Sequence, residues 1–204
     1  MFNPTKIIAI GLNYHDHAKE MNEKPPDYPL IFLKPSTSFI SNGNPIVYPP
    51  QTKELHYEGE LGIVIKDKVK NVAVKDANLY IAGYTCANDV TARDLQRIDG
   101  QWTRSKSFDT FCPLGPRIVS DVDPVAGLEI TTRVNGNIKQ HSSTKNMIFN
   151  VYKLVSFISY IMTLMPGDVI ITGTPPGVGP LQVGDTVEVD IEGIGVLKNM
   201  VVAG

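Results

Sequence analysis

His56-Tyr57-Glu58-Gly59-Glu60-Leu61-Gly62-Ile63-Val64-Ile65 is the stretch from which the rest of this chain is best read. The apolar run from Leu61 to Ile65 is strand-like, and side chains at i and i+2 of a strand share a face. Glu58 and Glu60 therefore lie side by side. Two neighbouring carboxylates do not both stay ionised cheaply unless a cation sits between them. The pair is a candidate for a hard divalent metal. The competing reading is a solvated face of an edge strand, since exposed Glu residues are common. Gly59 favours the site, because glycine in a strand lets a ligand or another backbone approach closely. His56 would favour zinc if it were a ligand; otherwise it is an ordinary surface or core histidine.

Outward from this stretch, further strand-like runs cover Lys6 to Ile10, Leu30 to Lys34, Tyr80 to Ala87, Leu128 to Val134, Asp168 to Thr172 and Thr186 to Ile191. Turn signals separate them: Asn42-Gly43-Asn44-Pro45, Asn135-Gly136-Asn137, Pro166-Gly167-Asp168 and Val183-Gly184-Asp185. One segment has helical periodicity. From Thr144 to Leu164, Met147, Ile148, Val151, Leu154, Val155, Ile158 and Ile161 recur on one face. Ser142, Ser143 or Thr144 offers the N-cap, and Pro166-Gly167 the stop. A shorter helix is expected from about His15 to Met21. The pattern predicts an α+β, mostly β domain with one long helix and short helices.

The chain has 204 residues, a size for one domain, with no repeat, low-complexity tract or long linker. It is 42% hydrophobic and 20% charged with a net charge of -2, so no basic face for nucleic acid is expected. No apolar run reaches membrane-spanning length. Met1-Phe2-Asn3-Pro4 shows no signal-peptide pattern, and Cys86 and Cys112 lack zinc or redox spacing. A cytoplasmic protein with two reduced, buried cysteines is expected.

Four constellations carry chemistry. Asp89 follows the strand-like run Tyr80 to Ala87, so it sits at a strand end where it can join Glu58 and Glu60 as a third oxygen ligand. All-oxygen sites suit Mg²⁺ or Mn²⁺. His17 and Glu20 lie at i and i+3, on one face if the segment is helical. A carboxylate bonded to imidazole fixes its tautomer and raises its basicity, so the pair can take a proton from water. A helix-surface ion pair is the plain alternative, and His15 with His17 could instead be metal ligands. Arg93 and Gln96 follow Asp89, and an N-capping Asp89 would put Arg93 one turn along. With Lys106, Arg93 could bind a substrate carboxylate or steady an enolate; solvated surface charges are the alternative. Last, Thr172-Gly173-Thr174-Pro175-Pro176-Gly177-Val178-Gly179-Pro180 follows a strand and offers backbone N–H groups and the Thr174 hydroxyl to an anion, but lacks the ending of a P-loop; a plain turn is the alternative. Lys24-Pro25-Pro26 after the short helix suggests a mobile lid over about residues 13–30.

These stretches together resemble the fumarylacetoacetate hydrolase family. The match is collinear: Gly11-Leu12-Asn13-Tyr14-His15-Asp16-His17, Phe32-Leu33-Lys34-Pro35-Ser36-Thr37, Glu58-Gly59-Glu60-Leu61-Gly62, Asn88-Asp89-Val90-Thr91-Ala92-Arg93-Asp94, Lys106-Ser107-Phe108-Asp109, Pro166-Gly167-Asp168 and Thr172-Gly173-Thr174-Pro175. The resemblance implies a mixed β-sandwich roll spanning residues 1–204 as one catalytic domain, and a homodimer. It implies Mg²⁺, with Mn²⁺ or Ca²⁺ as substitutes, on Glu58, Glu60 and Asp89. It also implies that Lys106, Arg93, Gln96 and Thr174 face a small 2-oxo acid substrate. The His17–Glu20 pair resembles that of the acylpyruvase and oxaloacetate decarboxylase branch. The expected chemistry is C–C cleavage through a metal-stabilised enolate, with His17 and Glu20 as the water-activating base and Lys106 sharing the charge. Isomerisation of a 2-hydroxymuconate-type dioate uses the same enolate and is the alternative. A non-catalytic metal-bound binding protein is the alternative of another class.

Overall fold

Four α-helices and fifteen strands run through residues 3–204, the residues that the computed structural model describes. Met1 and Phe2, the first positions of the expected domain, lie outside them. In chain order the elements are β1 (Ile7–Gly11), α1 (His15–Glu20), β2 (Leu30–Lys34), β3 (Phe39–Ser41), β4 (Ile46–Tyr48), β5 (Leu55–Tyr57), β6 (Gly59–Ile65), β7 (Ile81–Asn88) and β8 (Thr91–Ala92). Then come α2 (Arg93–Asp99), α3 (Thr103–Lys106), β9 (Cys112–Val119), β10 (Glu129–Val134), β11 (Asn137–Ser143), α4 (Val151–Ile161), β12 (Val169–Ile171), β13 (Gly179–Leu181), β14 (Thr186–Ile191) and β15 (Gly195–Ala203).

They form three sheets: a seven-stranded mixed sheet ordered β2-β1-β12-β6-β7-β9-β3, a five-stranded sheet β11-β10-β14-β15-β4, and a three-stranded sheet β13-β5-β8. Strands β1 and β12 are parallel, as are β3 and β9, while β6 pairs antiparallel with both its neighbours. Burial explains the unbroken apolar runs in the large sheet. Ile8 and Ile10 of β1 face the main core with Leu61, Ile63 and Ile65 of β6. Ile7 and Ala9 face a second cluster with Val64, Leu114 and Ile171. Both faces are covered, so neither shows the polar alternation of a half-exposed strand. Strand β14 does alternate: Val187, Val189 and Ile191 are buried between partly exposed Thr186, Glu188 and Asp190. The main core lies where β10, β14, β15 and α4 meet the large sheet. Val151, Leu154, Val155 and Ile158 of α4 are buried there, each worth about 1.5–3 kcal/mol of apolar burial.

The long helix expected from Thr144 to Leu164 is shorter. Thr144–Asn146 is a single 3₁₀ turn capped by Ser143, and α4 starts at Val151 with Asn150 as its N-cap, accepting from Lys153 N at 3.0 Å. Asn13 is the cause of the delay. Its carbonyl accepts from Ile148 N and its Oδ1 from Phe149 N, which holds those residues extended. Helix α4 also ends before Leu164, whose backbone exchanges hydrogen bonds with Val69. Strands β2 and β14 have the expected bounds, and the other expected strands differ by up to three residues at an end. Strand β9 escaped sequence reading because Pro113, Gly115 and Pro116 interrupt it. Its pairing with β7 is irregular at this point, the place where prolines are tolerated inside a sheet.

Candidate metal centre and active site

Glu58 lies in the break between β5 and β6, Glu60 is the second residue of β6, and Asp89 follows β7 directly. The antiparallel register pairs Gly59 with Asn88, so both strand ends deliver their carboxylates to one place. Asp89 N donates to Glu58 O at 2.8 Å, and Glu58 N to Asn88 Oδ1 at 3.0 Å. The three side chains are buried, and one ligand oxygen from each lies within 4.8 Å of the others. Among the described residues this is the single such cluster. His15 and His56 are not part of it. His15 is exposed, and His56 faces Glu54 and Arg93. The solvated-strand reading of Glu58 and Glu60 also fails, since both are buried.

Three cations surround the carboxylates. Lys106, the last residue of α3, places Nζ 2.8 Å from Glu58 Oε2 and 2.6 Å from Asp89 Oδ2. Arg93 bonds the other Glu58 oxygen and donates to Gln96 Oε1 at 2.5 Å. Asp89 is not the N-cap of α2, because the short strand β8 intervenes and Ala92 is at the cap. The third cation is Lys34, for which sequence reading assigned no role. Its Nζ donates to Asp89 Oδ1 at 2.5 Å and to Val90 O at 3.3 Å, and the side chain is fully buried. A lysine closing the apolar run Leu30-Ile31-Phe32-Leu33 was the available signal, because a lysine goes inside only when paired.

These contacts split the two glutamates. Burial alone would raise the Glu58 carboxyl, but Lys106 and Arg93 outweigh it and hold it down at about 2. Among the described residues no lysine or arginine bonds Glu60, though the Lys106 charge acts on it; Gly173 N donates to its Oε2 at 2.7 Å. Burial, then the charges of Asp89 and Glu58, push it well above the usual carboxylate range. A dication held against Glu60 would supply compensation for its charge. The all-oxygen donor set suits a hard ion, so these residues fit the divalent metal that the sequence suggested.

A cavity of about 310 Å³ opens on the cluster. His17, Arg93, Gln96, Lys106 and Thr174 line it beside the three carboxylates, so every site residue expected from sequence except Glu20 is on its wall. Leu30, Phe32 and Trp102 form an apolar side. Glu20 stands behind His17, with Oε2 2.9 Å from His17 Nδ1. A carboxylate only accepts, so Nδ1 carries the proton and Nε2 of the neutral ring is the basic nitrogen. Thr174 is less available than expected. Its hydroxyl donates to Gly59 O at 3.0 Å and accepts from Gln140 Nε2 at 2.8 Å. Gln140 Oε1 also accepts from Gly59 N at 3.0 Å, which fixes the orientation of its amide. Gln140 sits in a polar strand, Asn137–Ser143, whose sequence carries no sign of this role.

The fumarylacetoacetate (FAA) hydrolase C-terminal family model matches residues 6–202. The solved 5-carboxymethyl-2-hydroxymuconate delta-isomerase of Mycobacterium smegmatis is 51% identical, with a TM-score of 0.94 over 100% of this chain and 80% of that one. The mitochondrial oxaloacetate tautomerase of Rattus norvegicus is 45% identical over 98% of this chain and 67% of its own length. The fumarylpyruvate hydrolase of Pseudomonas aeruginosa, solved in complex with Mn²⁺ and pyruvate, is 33% identical, with a TM-score of 0.93 over 100% of this chain and 91% of that one. The mostly β, α+β fold expected from sequence is the fold of these structures, and the chain belongs to the fumarylacetoacetate hydrolase family.

Proposed function

We propose that this protein is a divalent-metal-dependent enzyme that acts on 2-oxo acids through an enolate, with C–C bond cleavage as its main outcome. The observation that carries the reading is His17. It is the one imidazole on the wall of the cavity that also holds the carboxylate cluster, and Glu20 fixes its tautomer. A divalent cation on Glu58, Glu60 and Asp89, Mg²⁺ for preference with Mn²⁺ or Ca²⁺ as substitutes, supplies Lewis acidity toward the carboxylate and keto oxygens of the substrate. Lys34, Arg93 and Lys106 equal the three carboxylates in number but bond only Glu58 and Asp89, so a dication bound against Glu60 would leave the site net positive and suited to an anionic substrate.

In an acylpyruvate, His17 Nε2 takes a proton from water as the water oxygen bonds to the distal carbonyl carbon. The C–C bond then breaks, leaving a carboxylic acid and the enolate of pyruvate, whose charge Lys106 and Arg93 share. The proton held by His17 returns to the enolate carbon. In oxaloacetate, loss of CO₂ leaves the same enolate. A second reading, isomerisation or tautomerisation alone, is favoured by the isomerase and tautomerase at 51% and 45% identity. It needs proton movement only, within the same site.

Turnover of acetylpyruvate, oxaloacetate and a 2-hydroxymuconate-type dioate, each with and without EDTA, separates the readings. EDTA-sensitive pyruvate release from acetylpyruvate, abolished by His17→Ala with Mg²⁺ binding retained, is the expected result. Pyruvate release that His17→Ala leaves unchanged removes the proposed base. Isomerisation without any cleavage selects the second reading, and inertness toward all three selects a binding protein. Loss of Mg²⁺ affinity in Glu58→Ala, by calorimetry, tests the ligand set. We also propose a cytoplasmic homodimer. Strand β2 lies at the edge of the large sheet with Leu30 and Leu33 about half exposed, an apolar edge that a partner would cover. Light scattering that gives a monomer would refute this.

A further inference from the structure

Helix α1 has six residues, and its N-cap, Tyr14, provides no side-chain capping bond. A helix this short is not stable on its own. The position of His17 and Glu20 must therefore come from tertiary contacts, and two polar anchors are present. Asp16 and Glu20 lie one turn apart on the same face. Ser142 Oγ, on β11, donates to Asp16 Oδ2 at 2.9 Å. Asn146 Nδ2 donates to Ser142 Oγ at 3.1 Å, which turns the hydroxyl proton toward Asp16. At the other end, Gly177 N donates to the two oxygens of Glu20 at 3.2 and 3.4 Å.

Gly177 is itself held in place. Its φ is +94°, and a Cβ there would lie 2.3 Å from Lys139 O. Its carbonyl accepts from the Tyr57 hydroxyl at 2.8 Å. Tyr57 is the residue before Glu58, so the base and the carboxylate cluster are tied to one point of the chain.

We propose that Tyr57 and Ser142, neither of which lines the cavity, are positioning residues for the His17–Glu20 pair: Tyr57 acts through Gly177, and Ser142 through Asp16. The proposal rests on the reading of His17 as a base for C–C cleavage. Removing one anchoring bond loosens the helix without removing a group that touches substrate.

The test uses the intact Mg²⁺-loaded protein and the variants Tyr57→Phe, Ser142→Ala and Ser142→Thr. Tyr57→Phe keeps the ring and Ser142→Thr keeps the hydroxyl. Hydrogen exchange is measured on the amides of Ala18, Met21 and Glu23, all bonded within this segment. Acetylpyruvate cleavage is measured alongside. Exchange in Tyr57→Phe and Ser142→Ala is expected to quicken by up to about tenfold, the equivalent of one hydrogen bond. The kcat for cleavage should fall by a similar factor, with KM and Mg²⁺ affinity within about twofold of the parent, and Ser142→Thr should restore both. Unchanged exchange in both variants overturns the anchors, and faster exchange with unchanged kcat overturns the positioning role. If the parent does not cleave acetylpyruvate, the proposed function fails on its own, and the exchange rates still decide the anchors. An unchanged circular dichroism spectrum and a cooperative melt lowered by no more than about 2–6 °C confirm that each variant is folded.

Discussion

Replacing Gly59 by alanine puts one methyl group into the contact between the metal-bearing strand and the five-stranded sheet. A Cβ at this position would lie 2.0 Å from Thr132 Oγ1 and 3.2 Å from Gln140 Oε1. The first distance is more than an ångström inside van der Waals contact, so the Thr132 side chain, β6 or β10 must shift. Overpacking of this kind costs about 1–3 kcal/mol, partly offset by the roughly 0.4–1 kcal/mol that Ala gains over Gly through the unfolded chain. Thr132 supplies the control. Among the described residues its buried hydroxyl has no hydrogen-bond partner, so Thr132→Ala removes a burdensome polar group together with a useful methyl group. That change should be near neutral, within about 1 kcal/mol. The Thr132 Cβ lies 3.4 Å from the added methyl, which is tolerable, so the double variant should recover most of the loss. Urea denaturation of the four proteins should give a coupling of about 2 kcal/mol, or roughly 4–8 °C in melting temperature for a chain of this size. Because Gly59 lies between Glu58 and Glu60, Mg²⁺ affinity should drop and recover in step. Stability of Gly59→Ala within about 0.5 kcal/mol of the parent, or no recovery in the double variant, would show that the strand is not locked as described.

Lys34→Met should cost about 3–5 kcal/mol at most, because it strips a buried partner from Asp89; the remaining bond from Lys106 should keep the loss toward the lower end. Denaturant melts check this, and a neutral outcome would mean that Asp89 does not need both lysines. Glu60 holds its proton above the usual carboxylate range and must release it to bind a cation, so Mg²⁺ affinity should rise with pH until the metal-free Glu60 ionises. Calorimetry across a pH series in buffers of different ionisation enthalpy reads the proton released, and a Mg²⁺ affinity that does not change with pH contradicts the assignment. Asp168 behaves in the opposite way. Burial would raise it, but bonds from Lys6, Met165 N and Thr5 outweigh burial and lower it. Its contribution is therefore complete above the unfolded value near 4, and fades as pH falls through the lower folded value. The acid limb of the stability profile should flatten below about pH 4 in Asp168→Asn, and a limb unchanged from the parent would refute this.

Much of the site was legible because its residues carry chemistry that local sequence exposes. Two glutamates at i and i+2, an aspartate at a strand end and a His-x-x-Glu pair are readable without any tertiary contact. Lys34 and Gln140 were not. One is a lysine whose burial depends on a carboxylate 55 positions along the chain, and the other is an amide whose partners lie 34 and 81 positions away. The long helix was over-extended for a similar reason. Met147 and Ile148 fit the helical period, but Asn13, from the far end of the chain, claimed the backbone groups that a longer helix would have used.

The sequence alone determined the inventory: a mostly β chain, two glutamates two residues apart, and a His-x-x-Glu pair on a short helix. Periodicity and residue chemistry are local properties, and the chain displays them directly. Tertiary structure decided which charges meet. Pairing β6 with β7 brings Asp89 to Glu58, and the packing of α3 and β2 delivers the two lysines that bond to Glu58 and Asp89. Glu60 is left as the uncompensated carboxylate. That asymmetry between two glutamates two residues apart comes from desolvation and from long-range neighbours. Both exist only once the sheet has closed.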